Sequence, residues 1–295
     1  MKNAIIYCAG NNFLQYYDRI IKYYNIIALT DSDPQKWGEV LMGEYNVVNP
    51  ECVDTCMAEV VFIASDRQEI IGQIERKVNK LWPNLSVESI LSALISRVSW
   101  KSVIDPITWS DKLRNTVCIE GGNYINSIEI CFFGFGNQII IRSGVLVKDR
   151  LSVIAYGDGN VLDIGEKTSI LNMVANIGEG GAIIIGKNCM FSSGIELFQF
   201  ECHPIFDLGT KERINHSENI TIGDHVWIGR NVALMGGFSV GEDSIIGFGS
   251  ISSSKFDKKV CIAGSPAKVI RENVTWGREA LGLYTITKMD DLRLL

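Results

Sequence analysis

Several features common in other classes of protein are missing from this chain of 295 residues. Positive charge is not in excess, since 28 Lys and Arg stand against 34 Asp and Glu, so affinity for nucleic acid is not expected. The longest apolar stretch, residues 128–147, contains Glu129 and Arg142, which excludes a transmembrane helix. The apolar run at the N-terminus is too short for a signal peptide. We therefore expect a cytoplasmic protein without stable membrane insertion.

Cysteine and histidine are present, but without the spacing of a disulfide framework or a metal site. The eight cysteines are scattered and include no CxxC pair, so we expect free thiols in a reducing compartment. The three histidines do not form the ligand set that zinc requires. No metal is expected.

Strand and helix patterns alternate over residues 1–83. Apolar runs at residues 3–9, 25–30 and 59–65 predict strands, and helical spacing follows the first and the third. This alternation predicts a small Rossmann-like α/β domain with a parallel sheet.

The first turn of this domain, Ala-Gly-Asn-Asn, has one glycine where the dinucleotide-binding fingerprint has three. A helix N-terminus near Asn11 could still hold a phosphate, and Asp31 lies where an acid could hold a ribose hydroxyl. A structural domain and a nucleotide- or nucleotide-sugar-binding domain both remain open. Residues 84–115 are predicted to be a connector with a helix.

The last third of the chain has an aliphatic residue at every sixth position. The series is Ile222, Ile228, Leu234, Val240 and Ile246, and glycine follows four of its members. A period of six matches neither a helix nor a flat strand, but it fits a parallel β-helix with three short faces and eighteen residues in each coil. Less regular repeats extend this prediction to residues 116–271, with a C-terminal tail at 272–295.

Each hexad is expected to turn its first residue inward. A second residue four places on completes the interior, and this residue is small except at Phe238. We expect the glycine after the aliphatic residue to supply the positive φ of a tight corner.

The period fails once, between Leu197 and Ile222, where polar and charged residues fit no hexad. This predicts a loop, residues 198–220, extruded from the coil. Loops on rigid scaffolds often carry function.

Five motifs in this region follow the order and spacing of a known family: ECHPIFD, ERIN, ITIGDHVWIGRNV, SIIGFGS and AGSPAKVIREN. Over roughly residues 160–276 the chain resembles the hexapeptide-repeat acyltransferases. The branch it resembles comprises the galactoside, maltose, xenobiotic and capsule or lipopolysaccharide acetyltransferases. The resemblance implies a left-handed β-helix, a homotrimer with active sites between subunits, and acetyl-CoA as co-substrate.

His203 corresponds to the histidine that is the general base in this family. Imidazole suits removal of a proton from a sugar hydroxyl at neutral pH. Relatives often have an Asp two residues before this histidine, where the present chain has Glu201. Residues i and i+2 of an extended segment share a face, so Glu201 could reach the His203 ring and orient it; a glutamate that only faces solvent is the alternative.

Further site residues are expected in the loop and along the coil. The acceptor sugar is expected to contact four loop residues: Asp207, Arg213, Asn215 and His216. The resemblance places acetyl-CoA against a second set of residues: Trp227, Gly247, Gly249, Ser250, Ala263, Gly264, Lys268 and Arg271. Where relatives often have a Thr-Lys pair, this chain has Ser253-Ser254 and then Lys255.

These features together predict an acetyl-CoA-dependent O-acetyltransferase that acts on a sugar hydroxyl in bacterial surface polysaccharide synthesis. One alternative is an N-acyltransferase acting on a nucleotide-linked amino sugar, because some such enzymes join a small α/β domain to a β-helix. A second alternative is a non-catalytic β-helix that serves as a binding module. The expected partners are CoA and a carbohydrate or nucleotide-sugar acceptor.

Overall fold

The computed structural model describes residues 1–65, 67–93 and 95–279. The protein is mostly β with few helices, and it divides between Ser96 and Arg97 into two compact units. No helix within the described ranges is both long and apolar enough to cross a membrane.

The first unit is a six-stranded sheet with helices. Its strands are β1 (Lys2–Tyr7), β2 (Tyr24–Thr30), β3 (Val40–Leu41), β4 (Tyr45–Val48), β5 (Val60–Ile63) and β6 (Ser86–Ser89). Its helices are α1 (Asn11–Ile20), α2 (Gln68–Leu81) and α3 (Ile90–Ala93), with 3₁₀ turns at Pro34–Lys36 and Pro50–Cys52. The order is β3-β4-β2-β1-β5-β6, and only β3 is antiparallel to its neighbour.

The centre of this sheet is formed by β1 and β5. Ala4–Tyr7 and Val60–Ile63 are continuous apolar runs with no exposed side chain, as expected of parallel strands covered on both faces. The helix α2 buries Ile71, Ile74 and Val78, which lie on one helical face.

The second unit is a parallel β-helix with one antiparallel strand near its start and another at its end. Its strands are β7 (Ile95–Val103), β8 (Ile107–Ser110), β9 (Thr116–Ile119), β10 (Tyr124–Phe133), β11 (Gln138–Ile141), β12 (Leu146–Tyr156), β13 (Val161–Ile164), β14 (Ser169–Gly178), β15 (Ala182–Ile185), β16 (Met190–Phe191), β17 (Ile195–Phe198), β18 (Ile220–Ile222), β19 (Trp227–Ile228), β20 (Ala233–Met235), β21 (Ser239–Val240), β22 (Ile245–Ile246), β23 (Ile251–Ser252), β24 (Lys255–Phe256), β25 (Val260–Gly264) and β26 (Ala267–Glu272).

Three faces run along this β-helix. Face one contains β9, β11, β13, β15, β18, β21 and β24. Face two begins with the first halves of β10, β12 and β14 and continues through β16, β19, β22 and β25. Face three begins with the second halves of the same long strands and continues through β17, β20 and β23. We call the edges between them corners one–two, two–three and three–one.

Coil length changes along the stack. In the regular part Ile222 pairs with Val240, eighteen positions on, as the hexad period predicts. Earlier, Ile141 pairs with Ile164, so the first coils are longer and their hexads less regular. A ladder of buried asparagines holds the longer corners, with Asn137 donating to Asn115 and Asn160 donating to Asn137.

The predicted interior of the regular coils is confirmed. The five aliphatic hexad residues are at most 3% exposed, and the residues four places on are fully buried: Val226, Val232, Phe238, Ser244 and Ser250. Phe238 is accommodated because the next coil presents Phe256, with the ring centroids 6.0 Å apart.

The predicted role of the hexad glycines is wrong. Positive φ occurs two residues after them, for example 55° at His225 after Gly223 and 61° at Asp243 after Gly241. The glycines are needed because the next coil lies directly against them. A Cβ at Gly223 would stand 2.6 Å from the Glu242 nitrogen, a backbone atom that cannot move aside cheaply.

Residues 84–115, predicted as a connector, are divided between the two units. The strand β6 and helix α3 belong to the first unit, whereas β8 pairs with β9 at the start of face one. The end of the chain, predicted as a tail from residue 272, begins within β26. Residues 273–279 then return along corner one–two, and residues 280–295 lie outside the described part.

Candidate active site

The loop between β17 and β18 leaves the β-helix at corner three–one. It spans residues 199–219 and is anchored to the preceding coil by Glu179. The Glu179 carboxylate accepts a hydrogen bond from the Arg213 guanidinium and another from the Ser217 hydroxyl at 2.5 Å. The hydrogen bond from Arg213 lowers the pKa of Glu179. Burial raises this pKa and the Ser217 hydrogen bond lowers it, so that the pKa stays below its usual value of 4.5.

Asn215 joins the two arms of the loop. Its Nδ2 donates to Glu201 Oε2 at 2.6 Å and to the His203 carbonyl at 2.9 Å, and its Oδ1 accepts from the Ile205 amide at 2.8 Å. Arg213 donates to Asn215 Oδ1 at 3.2 Å and to its carbonyl at 2.8 Å. Arg213 and Asn215, predicted to contact the acceptor, therefore brace the backbone around His203.

The predicted pairing of Glu201 with the His203 ring is not what the structure presents. The Glu201 carboxylate accepts from Asn215, which in turn holds the His203 carbonyl. The longer glutamate side chain reaches across the loop instead of lying beside the neighbouring ring. The His203 side chain is exposed, and its imidazole has no hydrogen-bond partner among the described residues.

The other two predicted acceptor residues lie on the loop surface. Asp207 Oδ1 accepts from the Gly209 and Thr210 amides, both at 2.8 Å, and thereby shapes the tip. These backbone hydrogen bonds lower the pKa of Asp207. His216 is exposed beside Asn215 and is free to face an acceptor.

The predicted cofactor residues lie mainly at corner two–three. Gly247 and Ala263 occupy successive coils, and a Cβ at Gly247 would stand 3.0 Å from the Ala263 Cβ. Gly249 has a φ of 67°, and Gly264 has a φ of 106° at the turn from β25 to β26. Lys268 and Arg271 are exposed on β26, which runs antiparallel to β25; Lys268 lies opposite Ala263 at this corner, and Arg271 lies opposite Cys261 nearer the start of β25.

One predicted cofactor residue belongs to the core instead. Ser250 is fully buried, and its hydroxyl donates to the Gly247 carbonyl at 2.7 Å inside the coil. It occupies the second inward position of a hexad, so its side chain cannot reach a molecule outside. Trp227 is 38% exposed on face two.

A group at corner one–two was not predicted from the sequence. His225 Nδ1 lies 2.8 Å from Asp243 Oδ1, and the Trp276 ring stacks on the imidazole at 4.3 Å. Burial alone would raise the pKa of Asp243, but hydrogen bonds from His225 and Thr275 outweigh it and lower the pKa. Trp276 is brought here by the returning C-terminal segment, and no periodicity marks that return.

The described residues contain no group of three or more His, Cys, Asp or Glu side chains placed to hold a metal ion. Two features carry groups that could act on a substrate: the exposed His203 imidazole at corner three–one, and the cationic side chains of β26.

Comparison with known proteins gives consistent relatives. The model of the bacterial transferase hexapeptide (six repeats) family matches residues 219–251. A polysialic acid O-acetyltransferase of Neisseria meningitidis is 33% identical over 200 residues, which are 61% of this chain and 92% of that protein. A polysialic acid O-acetyltransferase of Escherichia coli O1:K1 is 35% identical, but the match covers 41% of this chain and 39% of that protein.

A solved structure agrees with these relatives. The crystallographically analysed polysialic acid O-acetyltransferase OatWY has 33% sequence identity and a TM-score of 0.53. The match covers 60% of this chain and 82% of that one.

Proposed function

The chain belongs to the bacterial hexapeptide-repeat transferase family and is an acetyltransferase, and we propose that it moves an acetyl group from acetyl-CoA to a hydroxyl of a capsular sugar. The names of its relatives support O-acetylation of a capsule polysaccharide. They also count against a non-catalytic binding module. The observation that carries the proposal is the exposed His203 imidazole on a loop whose backbone is braced by Asn215.

In the proposed reaction His203 is the general base. Its imidazole takes the proton of the acceptor hydroxyl while the hydroxyl oxygen bonds to the acetyl carbonyl carbon. The bond from that carbon to the CoA sulfur breaks, and the imidazolium returns the proton to the sulfur. A positioned base of this kind supplies about 10²–10⁴-fold. Glu201 contributes through Asn215, by holding the backbone from which His203 projects.

We propose that acetyl-CoA lies along corner two–three. Backbone at Gly247, Gly249, Ala263 and Gly264 can approach it closely, since small residues leave that corner open. Lys268 and Arg271 then face the phosphates, and Trp227 flanks the pantetheine arm.

The corners also support a homotrimer of left-handed β-helices. Within one chain the His203 loop is at corner three–one and the cationic strand is beside corner two–three, on opposite sides of face three. A neighbouring copy can bring its corner two–three to the loop, which completes the site from two subunits.

The test of the base is the His203→Ala variant. We expect acetyl transfer from acetyl-CoA to a sialic acid polymer to fall about 10²–10⁴-fold. The adjacent Cys202→Ala variant is the control and should keep its activity, because the thiol has no part in proton transfer. Mass spectrometry of the product would identify the acetylated hydroxyl. Near-normal transfer by His203→Ala would show that the base is another group.

A second candidate, N-acylation of a nucleotide-linked amino sugar, is favoured by a cavity of about 770 Å³ in the first unit. The cavity lies at the carboxyl end of β1, which is flanked by β2 and β5. Open parallel sheets bind ligands at such a position, and for this reason we propose a Rossmann-like domain. Asp31 is buried there with Lys36 Nζ at 2.8 Å from its carboxylate, and Arg67 lines the same cavity.

Thermal unfolding with UDP- and dTDP-sugars tests this candidate. If the first unit holds the site, the sugar nucleotide should raise the melting temperature, and Arg67→Gln should abolish that increase. The control is Arg76→Gln, which should retain it, because Arg76 is exposed on α2 outside the cavity. An unchanged melting temperature in the wild type would remove the candidate.

A further inference from the structure

A groove on face three adjoins the corner that carries the His203 loop. Its volume is about 470 Å³, and the outward side chains of β7, β10 and β12 form its walls. We call it the face-three groove and define it by Arg97, Cys131, Phe133, Arg150, Ile154 and Tyr156. None of these residues is marked by the hexad pattern, because all of them point away from the coil interior or precede it.

Aromatic rings connect the groove to the loop. Phe133 and Tyr156 pair in register on β10 and β12, and their rings stack at 5.0 Å with an angle of 7° between planes. The Phe200 ring lies 5.2 Å beyond Tyr156. Phe200 takes the place of a third rung, because Tyr156 pairs with Gly178 and a Cβ there would stand 2.6 Å from the Phe200 ring.

Phe200 immediately precedes Glu201, so this three-ring ladder leads from the groove to the His203 loop. The charges near Tyr156 agree with that path. Burial raises the pKa of Tyr156, and the neighbouring thiols of Cys202 in the loop and Cys131 in the groove raise it further. Tyr156 therefore stands between the groove and the loop.

Two arginines make the groove suitable for anions. Arg97 is exposed on β7 and lines the groove with Cys131; burial raises the pKa of the Cys131 thiol, and the Arg97 guanidinium acts in the opposite direction. Arg150 donates through one nitrogen at 2.7 Å to Glu129, which also lines the groove, and both side chains are about half exposed. A guanidinium has five N–H donors, so Arg150 keeps donors for a carboxylate outside the protein.

We propose that the face-three groove holds an acidic stretch of the acceptor polysaccharide, next to the residue that is acetylated at His203. Sugar rings pack against the edges of Phe133 and Tyr156, and sugar carboxylates bind Arg97 and Arg150. The inference rests on the proposed function for the identity of the acceptor. It adds a polymer subsite to the base and makes negative charge the property that selects the acceptor.

The experiment compares three probes: a sialic acid oligomer, the same oligomer with its carboxylates reduced to alcohols, and monomeric sialic acid. Binding is measured calorimetrically, without acetyl-CoA, to the full chain carrying His203→Ala. The groove variants are Arg97→Gln, Arg150→Gln and their combination. The control is Lys148→Gln, which removes an exposed cation two positions from Arg150 on the same strand but outside the groove.

We expect the oligomer to bind about tenfold more weakly after each arginine change and more weakly still after both, because each removes a charge-assisted hydrogen bond. Lys148→Gln should bind like the parent. The reduced oligomer and the monomer should bind weakly to all variants. Equal binding of the reduced oligomer would overturn the proposal in favour of a neutral glycan, and unchanged binding after both arginine substitutions would overturn it outright.

Turnover by chains with intact His203 separates the two proposals. If acetyl transfer proceeds and the KM for the oligomer is unaffected by the arginine changes, the groove proposal fails and the proposed function stands. If the oligomer binds through both arginines but no acetyl transfer occurs, the proposed function fails and the anionic groove stands.

Discussion

At the scale of single residues, Glu179 shows how a loop is fixed from outside itself. It has a φ of 57°, which is uncommon for a residue with a side chain, and it holds Arg213 and Ser217. Arg213 holds Asn215, and Asn215 holds the His203 carbonyl. We infer that this chain of contacts positions the imidazole relative to both substrates.

Replacing Glu179 with Gln should lower kcat about tenfold to a hundredfold, because a small misplacement of a catalytic group is costly. The KM for acetyl-CoA should stay unchanged, since Glu179 contacts Arg213 and Ser217 of the loop and none of the residues proposed to bind acetyl-CoA. Steady-state kinetics would measure both constants. The control is Glu166→Gln, which should retain full kcat. Glu166 is a half-exposed acid at corner one–two, and its carboxylate lies 3.8 Å from Lys187 Nζ. A normal kcat in Glu179→Gln would show that the loop holds itself.

The ionisation of Glu179 predicts a pH dependence of stability. Its folded-state pKa is below 4.5, mainly because of the Arg213 hydrogen bond, so its stabilising effect is present above that value and is lost as the pH falls through the lowered pKa. Urea unfolding should show wild type more stable than Glu179→Gln by about 1 kcal/mol or less at neutral pH, since the pair is partly exposed. The difference should vanish below the lowered pKa. A constant difference at all pH values would assign the effect to packing.

At the scale of elements, each hexad glycine is a contact between coils. Gly223, Gly229 and Gly241 all lie where a Cβ would come within 3 Å of the backbone or Cβ of the next coil. Glycine at these positions therefore sets how closely successive coils stack. The adjoining left-handed positions are taken by His225, Asn231 and Asp243, of which Asn and Asp tolerate that region well.

Gly223→Ala should destabilise the chain by about 1–3 kcal/mol, because the added methyl group forces two coils apart. The control is Gly121→Ala, at a position with ordinary φ and no atom within 4 Å of the added Cβ. It should be neutral or stabilising by up to about 1 kcal/mol. Chemical denaturation of both variants measures the difference, and equal stabilities would refute the stacking role.

At the scale of the whole molecule, the proposed active site needs two chains. The His203 loop and the cationic strand lie at different corners of one β-helix. Two inactive variants with complementary defects should therefore restore each other's activity when they assemble together.

His203→Ala is mixed in equal proportion with the double variant Lys268→Glu, Arg271→Glu. Each site takes its loop and its cofactor edge from different copies, so roughly a quarter of the sites should combine an intact loop with an intact edge and recover activity. The chains would be denatured and refolded together, and transfer measured at low acetyl-CoA concentration. Each variant refolded alone is the control. No recovery, with trimers present, would place both parts of the site in one chain.

The sequence by itself determined the β-helix of the second unit and the position of the loop that carries His203. The inward residue at every sixth position must be apolar, so the period can be read directly from the sequence, and the proposed site lies where that period stops. The alternation of strands and helices in the first unit could also be predicted from the sequence.

Only the tertiary structure decided which loop residues hold the backbone around His203 and which have side chains exposed to an acceptor. Arg213 meets Glu179, 34 positions earlier, because successive coils stack distant segments against each other. The same stacking pairs Glu201 with Asn215, turns Ser250 into the core and aligns Phe133, Tyr156 and Phe200 beside the loop. Local sequence records which side chains point inward, but contacts between coils depend on coil length and register, which vary along this chain.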